Sequence, residues 1–470
     1  MPKLQLSKEL IHEKVPSPPF QVAPSGISTP SLPRAADVLD DIVSLKMTEL
    51  FPDIDRAIIT QEMDKKTIRE VIRKETEKAT AHIDLSKVKP GDKVHLLISE
   101  HGFIPAGGWA YCEQIKYLDE MIRERTGAKV SLCYSVAGSP QEANDILAPN
   151  YDILDHFKGR FVFSGRYEET VGVETDIGKM YLMKKPFNCD WVVHMHYDTP
   201  RENHFHRYTA RALKSFGMSY AAPETRSSLH SSWEQRTASL VPRVMYESQF
   251  VQSKFLFGTI LLTSPDGVTG LLADRDFIKI EKEMEKRTMR NFAKWYHVLR
   301  HMKNYMVVID GYRWGDYIPA GGMETAAVTE GFVDMWDLDL PQVRVSGIRS
   351  HEYNKESKAY LFNNCWPCLF KSFLHYVPNV YWVKEVEDAL MPMYPVDSSQ
   401  FQIRDNIKVA VDEAIQKYGT DRIIIFNDSY GSVSVSRSLA EHILELVPEA
   451  TKEADEVLYP KYMKQRNIAI

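Results

Sequence analysis

The chain has 470 residues, of which 44% are hydrophobic and 26% charged, and its net charge is −6. That length exceeds one ordinary core and predicts two folded domains. The composition excludes a disordered chain, and the dispersed basic residues argue against nucleic-acid or anionic-membrane partners, which require a concentrated basic face. No apolar run has membrane-span length, no signal-peptide pattern occurs, and the five cysteines are sparse. We therefore expect a reducing, cytoplasmic compartment.

The N-terminal part of the chain alternates predicted helices and strands. Residues 1–34 hold seven prolines and little periodicity, which predicts an extended or flexible arm. Such an arm can lie on a neighbouring subunit, so a homo-oligomer is one expectation. Helices are predicted over 35–51 and 64–82. The next predicted elements are a strand at 94–99, a helix at 109–125 and a strand at 129–134, a rhythm typical of parallel strands with right-handed crossovers.

The later elements continue this alternation. A strand at 190–196 and a hairpin of 254–262 with 268–272 precede a long charged helix at 275–301, which we interpret as a domain connector. The remaining predicted elements are a strand at 305–310, a helix at 323–335, strands at 380–383 and 422–426, and a helical tail from residue 441.

This order of elements predicts an α/β protein. We expect two α/β domains with mostly parallel sheets and an active site in the interdomain cleft. The predicted division is an arm (1–34), an N-terminal α/β domain (35–275), a helical connector (276–302), a C-terminal α/β domain (303–445) and a helical tail (446–470).

One short motif occurs in both halves. Ile104-Pro105-Ala106-Gly107-Gly108 recurs as Ile318-Pro319-Ala320-Gly321-Gly322, each time between a predicted strand and a predicted helix. Small residues at such a turn let the backbone approach a ligand, and the amides at a helix N-terminus bind anions. The two copies predict either two anion-binding turns that face one cleft or two tight βα turns.

The segment from His194 to His230 is the densest cluster of reactive residue types. Five of the fifteen histidines fall within it: His194, His196, His204, His206 and His230. The first two share one face of a strand end because side chains two apart on a strand point the same way. A helix is predicted from residue 200 to 216, closed by a glycine and carrying a lysine, Lys214.

Two chemistries fit these residues. A His-X-His pair at a strand end is a common zinc site, and Asp198 or Asp310 could supply the carboxylate of a metal-dependent hydrolase. Acid-base chemistry on a hydroxy acid is the other, because imidazoles titrate near neutral pH.

The spacing His204…Lys214…His230 resembles that of the nickel-dependent lactate racemase family. The family also shares the start of the first strand (Lys89-Pro90-Gly91-Asp92-Lys93-Val94) and a β-pair bounded by Gly172 and Gly178. The resemblance covers most of residues 85–340. It implies a two-domain α/β enzyme that acts on a small hydroxy acid.

The resemblance also implies roles for individual residues. Lys214 would carry, through a thioamide, a nickel pincer nucleotide derived from nicotinic acid. His230 would ligate nickel through its neutral imidazole. His204 would be the general base that takes the hydroxyl proton as the C2 hydride moves to the cofactor's pyridinium ring. The residues expected to line the cofactor are Glu100, Gly107, Gly108, Gly321 and Gly322.

The chain departs from the family at its second acid-base histidine. The segment Ala137-Gly138-Ser139-Pro140 stands at that place. Racemisation through a planar intermediate requires an acid-base group for each face. We therefore expect His101 to take the place of the family's second acid-base histidine, with His196 and His206 as further candidates.

The substrate-holding residues of the family also differ. The glutamine and lysine that hold the substrate in the family are replaced in this chain by Gly321 and Glu324. This difference favours a bulkier or polyhydroxylated acid over lactate as the substrate. Glu324 is then a substrate-binding candidate, and Arg211, Arg226 or Arg313 could clamp a carboxylate. Cys365 and Cys368 form a lone Cys-X-X-Cys, interpreted as structural thiols.

The leading hypothesis is therefore a racemase or epimerase of a 2-hydroxy acid, with a nickel pincer cofactor on Lys214. A zinc-type hydrolase and a non-catalytic binding relative of the family are the alternatives.

Overall fold

The computed structural model describes residues 6–17, 32–99, 108–135, 152–165, 167–198, 211–232, 236–310, 334, 336–340, 355–363, 379–384, 401–427 and 429–470. In these ranges the chain forms two open, mostly parallel β-sheets with helices packed on their faces. The predicted α/β class is confirmed.

The first sheet has six strands. They are β3 (Lys93–Ser99), β4 (Lys129–Ser135), β5 (Phe161–Ser164), β8 (Trp191–Tyr197), β9 (Phe255–Ser264) and β10 (Gly267–Asp274). Their spatial order is β10-β9-β8-β3-β4-β5, and every neighbouring pair is parallel except the β9–β10 hairpin. A separate antiparallel pair, β6 (Thr170–Thr175) and β7 (Gly178–Met183), confirms the predicted β-pair.

The second sheet has eight strands. They are β1 (His12–Glu13), β2 (Ile42–Lys46), β11 (Tyr305–Ile309), β12 (Ser357–Phe362), β13 (Val380–Val383), β14 (Gln402–Arg404), β15 (Ile423–Phe426) and β16 (Ser432–Ser436). Their order is β1-β2-β16-β15-β11-β12-β13-β14. The run from β15 to β14 is parallel, and β1, β2 and β16 are antiparallel.

The helices cover both sheets. They are α1 (Ala35–Val38), α2 (Met47–Leu50), α3 (Lys65–Thr80), α4 (Gly108–Thr126), α5 (Ile153–His156), α6 (Lys214–Gly217), α7 (Pro223–Ser231), α8 (Leu240–Glu247), α9 (Gln249–Lys254), α10 (Phe277–His301), α11 (Ile407–Tyr418), α12 (Arg437–Glu453) and α13 (Tyr459–Arg466). A π-helical turn, Ala454–Leu458, joins the last two. Short 3₁₀ helices span Lys8–Leu10, Lys185–Phe187 and Arg211–Leu213. None of the helices in the described ranges has the length and apolarity of a membrane span.

The long helix α10 joins the cores of the two sheets. Asp276 caps its start by accepting a hydrogen bond from the Lys279 amide at 3.1 Å. Near that end Phe277 lies in the core on one face of the first sheet, whereas Trp295 lies in a core of the second sheet. This placement agrees with the predicted connector, although the division into domains stays a prediction.

The predicted helix over 35–51 is wrong. Two short helices flank β2, which pairs with β16 inside the second sheet. α1 ends at Val38, since the backbone of Leu39 is already extended. Asp41 then takes a positive φ of 55°, and β2 begins with β-branched Ile42 and Val43. The segment therefore contributes a strand to the second sheet. The predicted helix at 323–335 lies almost entirely outside the described residues.

Candidate active site

The segment that follows β8 begins with a histidine embedded in the core. His194 has no exposed surface, and its ring packs edge-on against Phe216, Tyr220 and Phe277. Its Nδ1 lies 3.0 Å from the Tyr220 hydroxyl and its Nε2 lies 2.9 Å from the Ala212 carbonyl oxygen. Burial lowers the pKa of His194 to about 4, so the imidazole is neutral at physiological pH.

This environment argues against the zinc-site interpretation of His194 and His196. A metal ligand must offer a ring nitrogen lone pair, and both His194 nitrogens already bond within the protein. In the described ranges no group of three or more His, Cys, Asp or Glu side chains is placed to hold a metal ion. His194 instead fastens β8 to the segment that carries Lys214.

Asp198 follows β8 and forms a buried ion pair with Arg211. Neither side chain has exposed surface. The hydroxyl of Thr288, on α10, donates to the second carboxylate oxygen of Asp198. Burial lowers the pKa of Arg211 to about 9, while the nearby Glu285 and Glu281 carboxylates act in the opposite direction.

Arg211 therefore cannot be the predicted substrate clamp in this conformation. Its guanidinium pairs with a carboxylate of its own chain, in a site closed to solvent. Arg226 is also largely buried, and its Nε donates to the Ala221 carbonyl oxygen at 2.8 Å. Both arginines position the backbone around Lys214 and His230.

Lys214 opens α6 directly after a 3₁₀ turn. Its side chain is half-buried, between the buried Leu213 and Ser215. The Leu213 amide donates to Glu281 Oε1 at 3.2 Å, and burial raises the pKa of that carboxyl group well above its usual range. The predicted end of the helix at Gly217 is confirmed, but residues 211–213 are 3₁₀ and not α-helical.

His230 lies in the last turn of α7 and is exposed. Its Nδ1 lies 2.6 Å from the Arg226 carbonyl oxygen, one helical turn earlier. That bond places the proton on Nδ1 and leaves the lone pair of the neutral ring on Nε2, the tautomer that suits a metal ligand.

The helices of Lys214 and His230 are packed together. A Cβ on Gly217 would lie 3.4 Å from Leu229 Cδ2 and 3.0 Å from Pro242 Cγ, so α6 sits closely against both α7 and α8. Lys214 and His230 therefore lie on adjacent elements of one layer on the first sheet.

Most other predicted site residues lie outside the described part of the chain. Gly108 and His196 are exceptions: Gly108 begins α4 one residue before the predicted start of that helix, and His196 lies in β8. The residues outside the described ranges are Glu100, His101, Gly107, His204, His206, Arg313, Gly321, Gly322, Glu324, Cys365 and Cys368.

Sequence reasoning missed the acidic side of this site. Glu281 and Glu285 are buried on α10, four residues apart and on the same stripe as Phe277 and Met284. Acidic residues at apolar positions of an amphipathic helix signal buried polar contacts, because carboxylates are rarely buried without partners. That signal was available in the sequence.

Comparisons with known proteins do not assign this chain to a family. No protein-family model matches the chain. No curated protein matches it either. Among solved structures, the apoprotein of lactate racemase from Thermoanaerobacterium thermosaccharolyticum is similar over 82% of this chain and 95% of its own, with 12% sequence identity and a TM-score of 0.41. A likeness at this level assigns neither a family, nor a substrate, nor a catalytic residue to this chain.

Proposed function

We propose that this chain is an isomerase, a racemase or epimerase of a 2-hydroxy acid other than lactate, with Lys214 at its centre. The observation that carries the proposal is the placement of this lysine. Its side chain is half-buried, while the backbone on both sides of it is fixed by buried contacts.

Buried contacts hold the backbone on both sides of Lys214 in the sequence. Before Lys214, the Arg211–Asp198 ion pair and the bond from the Leu213 amide to Glu281 hold the 3₁₀ turn. After it, Gly217 packs against α7 and α8. A lysine that carries a covalent group needs this combination, because the group must keep one orientation toward its substrate.

The chain's residues fit the cofactor that the sequence resemblance implies. Lys214 would be the attachment point, and His230 would supply one metal ligand through Nε2. When bound, the nickel pincer nucleotide would supply the metal and a hydride-accepting pyridinium ring.

The roles of general base and carboxylate clamp fall to residues outside the described ranges. His204 is the proposed base, and His101 is the proposed acid-base group for the other face. With Arg211 and Arg226 engaged inside the protein, Arg313 is the remaining proposed clamp.

The activity test uses the chain produced in cells that synthesise the cofactor. A panel of single-enantiomer 2-hydroxy acids labelled with deuterium at C2 is incubated with the wild type, Lys214→Arg and Lys254→Arg. Lys254 is a matched control, because it is another half-buried lysine at a helix end. We expect isomerisation with retained deuterium in the wild type and control, and its loss in Lys214→Arg. Full activity of Lys214→Arg would refute the proposal.

A further inference from the structure

Three neighbouring parallel strands of the second sheet are each followed by a buried polar side chain. Asn427 follows β15, Asp310 follows β11 and Asn363 follows β12. The strands are in register, since Ile309 pairs with Phe426 on one side and with Phe362 on the other. The three side chains thus lie side by side at the carboxyl edge of the sheet, where open α/β sheets take their ligands.

A segment around Arg34, distant in sequence, contacts these three residues. The Ala35 amide donates to Asp310 Oδ2 at 2.6 Å, and Arg34 Nε lies 3.4 Å from the same oxygen. Arg34 Nη2 donates to the Asn427 carbonyl oxygen at 2.5 Å. Asn363 Nδ2 bridges Asp310 Oδ1 at 2.8 Å and the carbonyl oxygen preceding Arg34 at 3.0 Å.

The charges explain why a cation is required there. Asp310 has no exposed surface, and a buried carboxylate without a cation or several donors is costly. Arg34 supplies the cation and is itself largely buried. The Asn363 amide and the Ala35 amide supply further donors, so part of the hydrogen bonding of the carboxylate comes from the Arg34 segment.

A second stretch of the N-terminal arm reaches the same sheet. His12 and Glu13 pair with β2, and His12 Nε2 lies 2.5 Å from Glu49 Oε2. Asn427 Nδ2 donates to Ser17 Oγ at 2.9 Å. The arm therefore runs along the edge of the second sheet before the Arg34 segment enters its carboxyl edge.

We propose that Asp310, Asn363 and Asn427 form a binding pocket for an alkylguanidinium group, and that Arg34 is its built-in occupant. The pocket offers a carboxylate to the cation, a carbonyl oxygen to a second N–H, and an amide donor to a neighbouring carbonyl. An arginine within a peptide presents these same groups. The pocket lies on the second sheet, apart from the Lys214 segment on the first, so it does not depend on the proposed function.

The test is chemical rescue in the full-length protein. Arg34→Ala removes the cation, and hydrogen exchange followed by mass spectrometry reports on the peptide spanning residues 32–38. We expect exchange of this peptide to accelerate by about ten- to a hundredfold, the effect of losing a charge-assisted contact. Methylguanidinium at millimolar concentration should restore most of the protection in Arg34→Ala and have no such effect on the wild type.

Three comparisons make the result specific. Arg34→Lys, which keeps the charge, should retain most of the protection. Arg56→Ala removes an exposed arginine, and its 32–38 peptide should exchange like that of the wild type. Tetramethylammonium, a cation without N–H donors, should not rescue Arg34→Ala.

The proposal fails if Arg34→Ala exchanges like the wild type, or if methylguanidinium protects both proteins equally. If Arg34→Ala does not fold, the double variant Arg34→Ala/Asp310→Asn decides, because it removes the buried charge together with its cation. The double variant should then fold, and its failure to fold would overturn the proposal.

Discussion

The buried imidazole of His194 makes the stability of the first sheet depend on pH. Burial lowers its pKa from 6.5 to about 4, so between these values the unfolded chain binds a proton that the folded chain does not. The free energy of unfolding therefore falls as the pH falls below 6.5, and the loss is nearly complete at pH 4. At about 1.36 kcal/mol for each pKa unit, His194 alone lowers stability by about 2 kcal/mol at pH 5.

The assay is urea unfolding followed by far-ultraviolet circular dichroism near pH 7.5 and near pH 5. His194→Gln keeps hydrogen-bonding groups but does not titrate. We expect it to be less stable than the wild type near pH 7.5, and its loss of stability between the two pH values to be smaller by about 2 kcal/mol. His230→Gln changes an exposed histidine and should keep the wild-type pH dependence. Equal pH dependence in the wild type and His194→Gln would refute the reasoning.

Three further substitutions test the packing around the site, each by urea unfolding against the wild type. Arg211→Met leaves the buried Asp198 carboxylate without its cation and should cost about 3–5 kcal/mol, whereas Arg211→Met/Asp198→Asn should cost less than the sum of the single changes. Additive costs would contradict a direct ion pair. Glu281→Gln should change stability by less than about 1 kcal/mol, because burial raises the pKa of Glu281 and so disfavours its charged form; a loss of about 3 kcal/mol would mean that the charge is needed. Gly258→Ala should destabilise by about 1–3 kcal/mol, because its Cβ would overlap the ring of Phe277; a neutral effect would contradict this close approach.

The elements that could be predicted from the sequence are those whose signals lie within the element itself. β3, β4 and β8 are short apolar runs bounded by turn residues, and α3 and α10 carry apolar stripes at helical spacing with an aspartate cap at the start. These signals depend on residues within one element, so they are readable without knowledge of the packing.

Long-range pairing could not be read in the same way. β2 pairs with β16, which lies almost four hundred residues further along the chain. No pattern within residues 42–46 indicates that pairing partner. The same limit applies to Arg211, which looked like an available clamp. Its partner Asp198 is near in sequence, but the closure of the site by Thr288 and Glu281 on α10 became visible only in three dimensions.

The segment from His194 to His230 contains one prediction that the structure argues against and others that it does not test. His194 and His196 resembled a metal pair because strand neighbours two apart share a face, yet the ring of His194 is committed to Tyr220 and Ala212. Helix α6 packs on α7, and this contact places the helices that carry Lys214 and His230 next to each other. The roles of Lys214 and His230 stay predictions from the family spacing, whereas the contacts around them are set by tertiary packing.

The central claim is most directly tested by the mass of the intact protein together with its metal content. The chain is purified from cells that make the pincer nucleotide, alongside Lys214→Arg and Lys254→Arg. We expect a covalent adduct with nickel in the wild type and in Lys254→Arg, mapped by peptide analysis to Lys214, and no adduct in Lys214→Arg. Zinc without an adduct would favour a hydrolase, and an unmodified, metal-free wild type would favour a binding protein; either result would contradict the account.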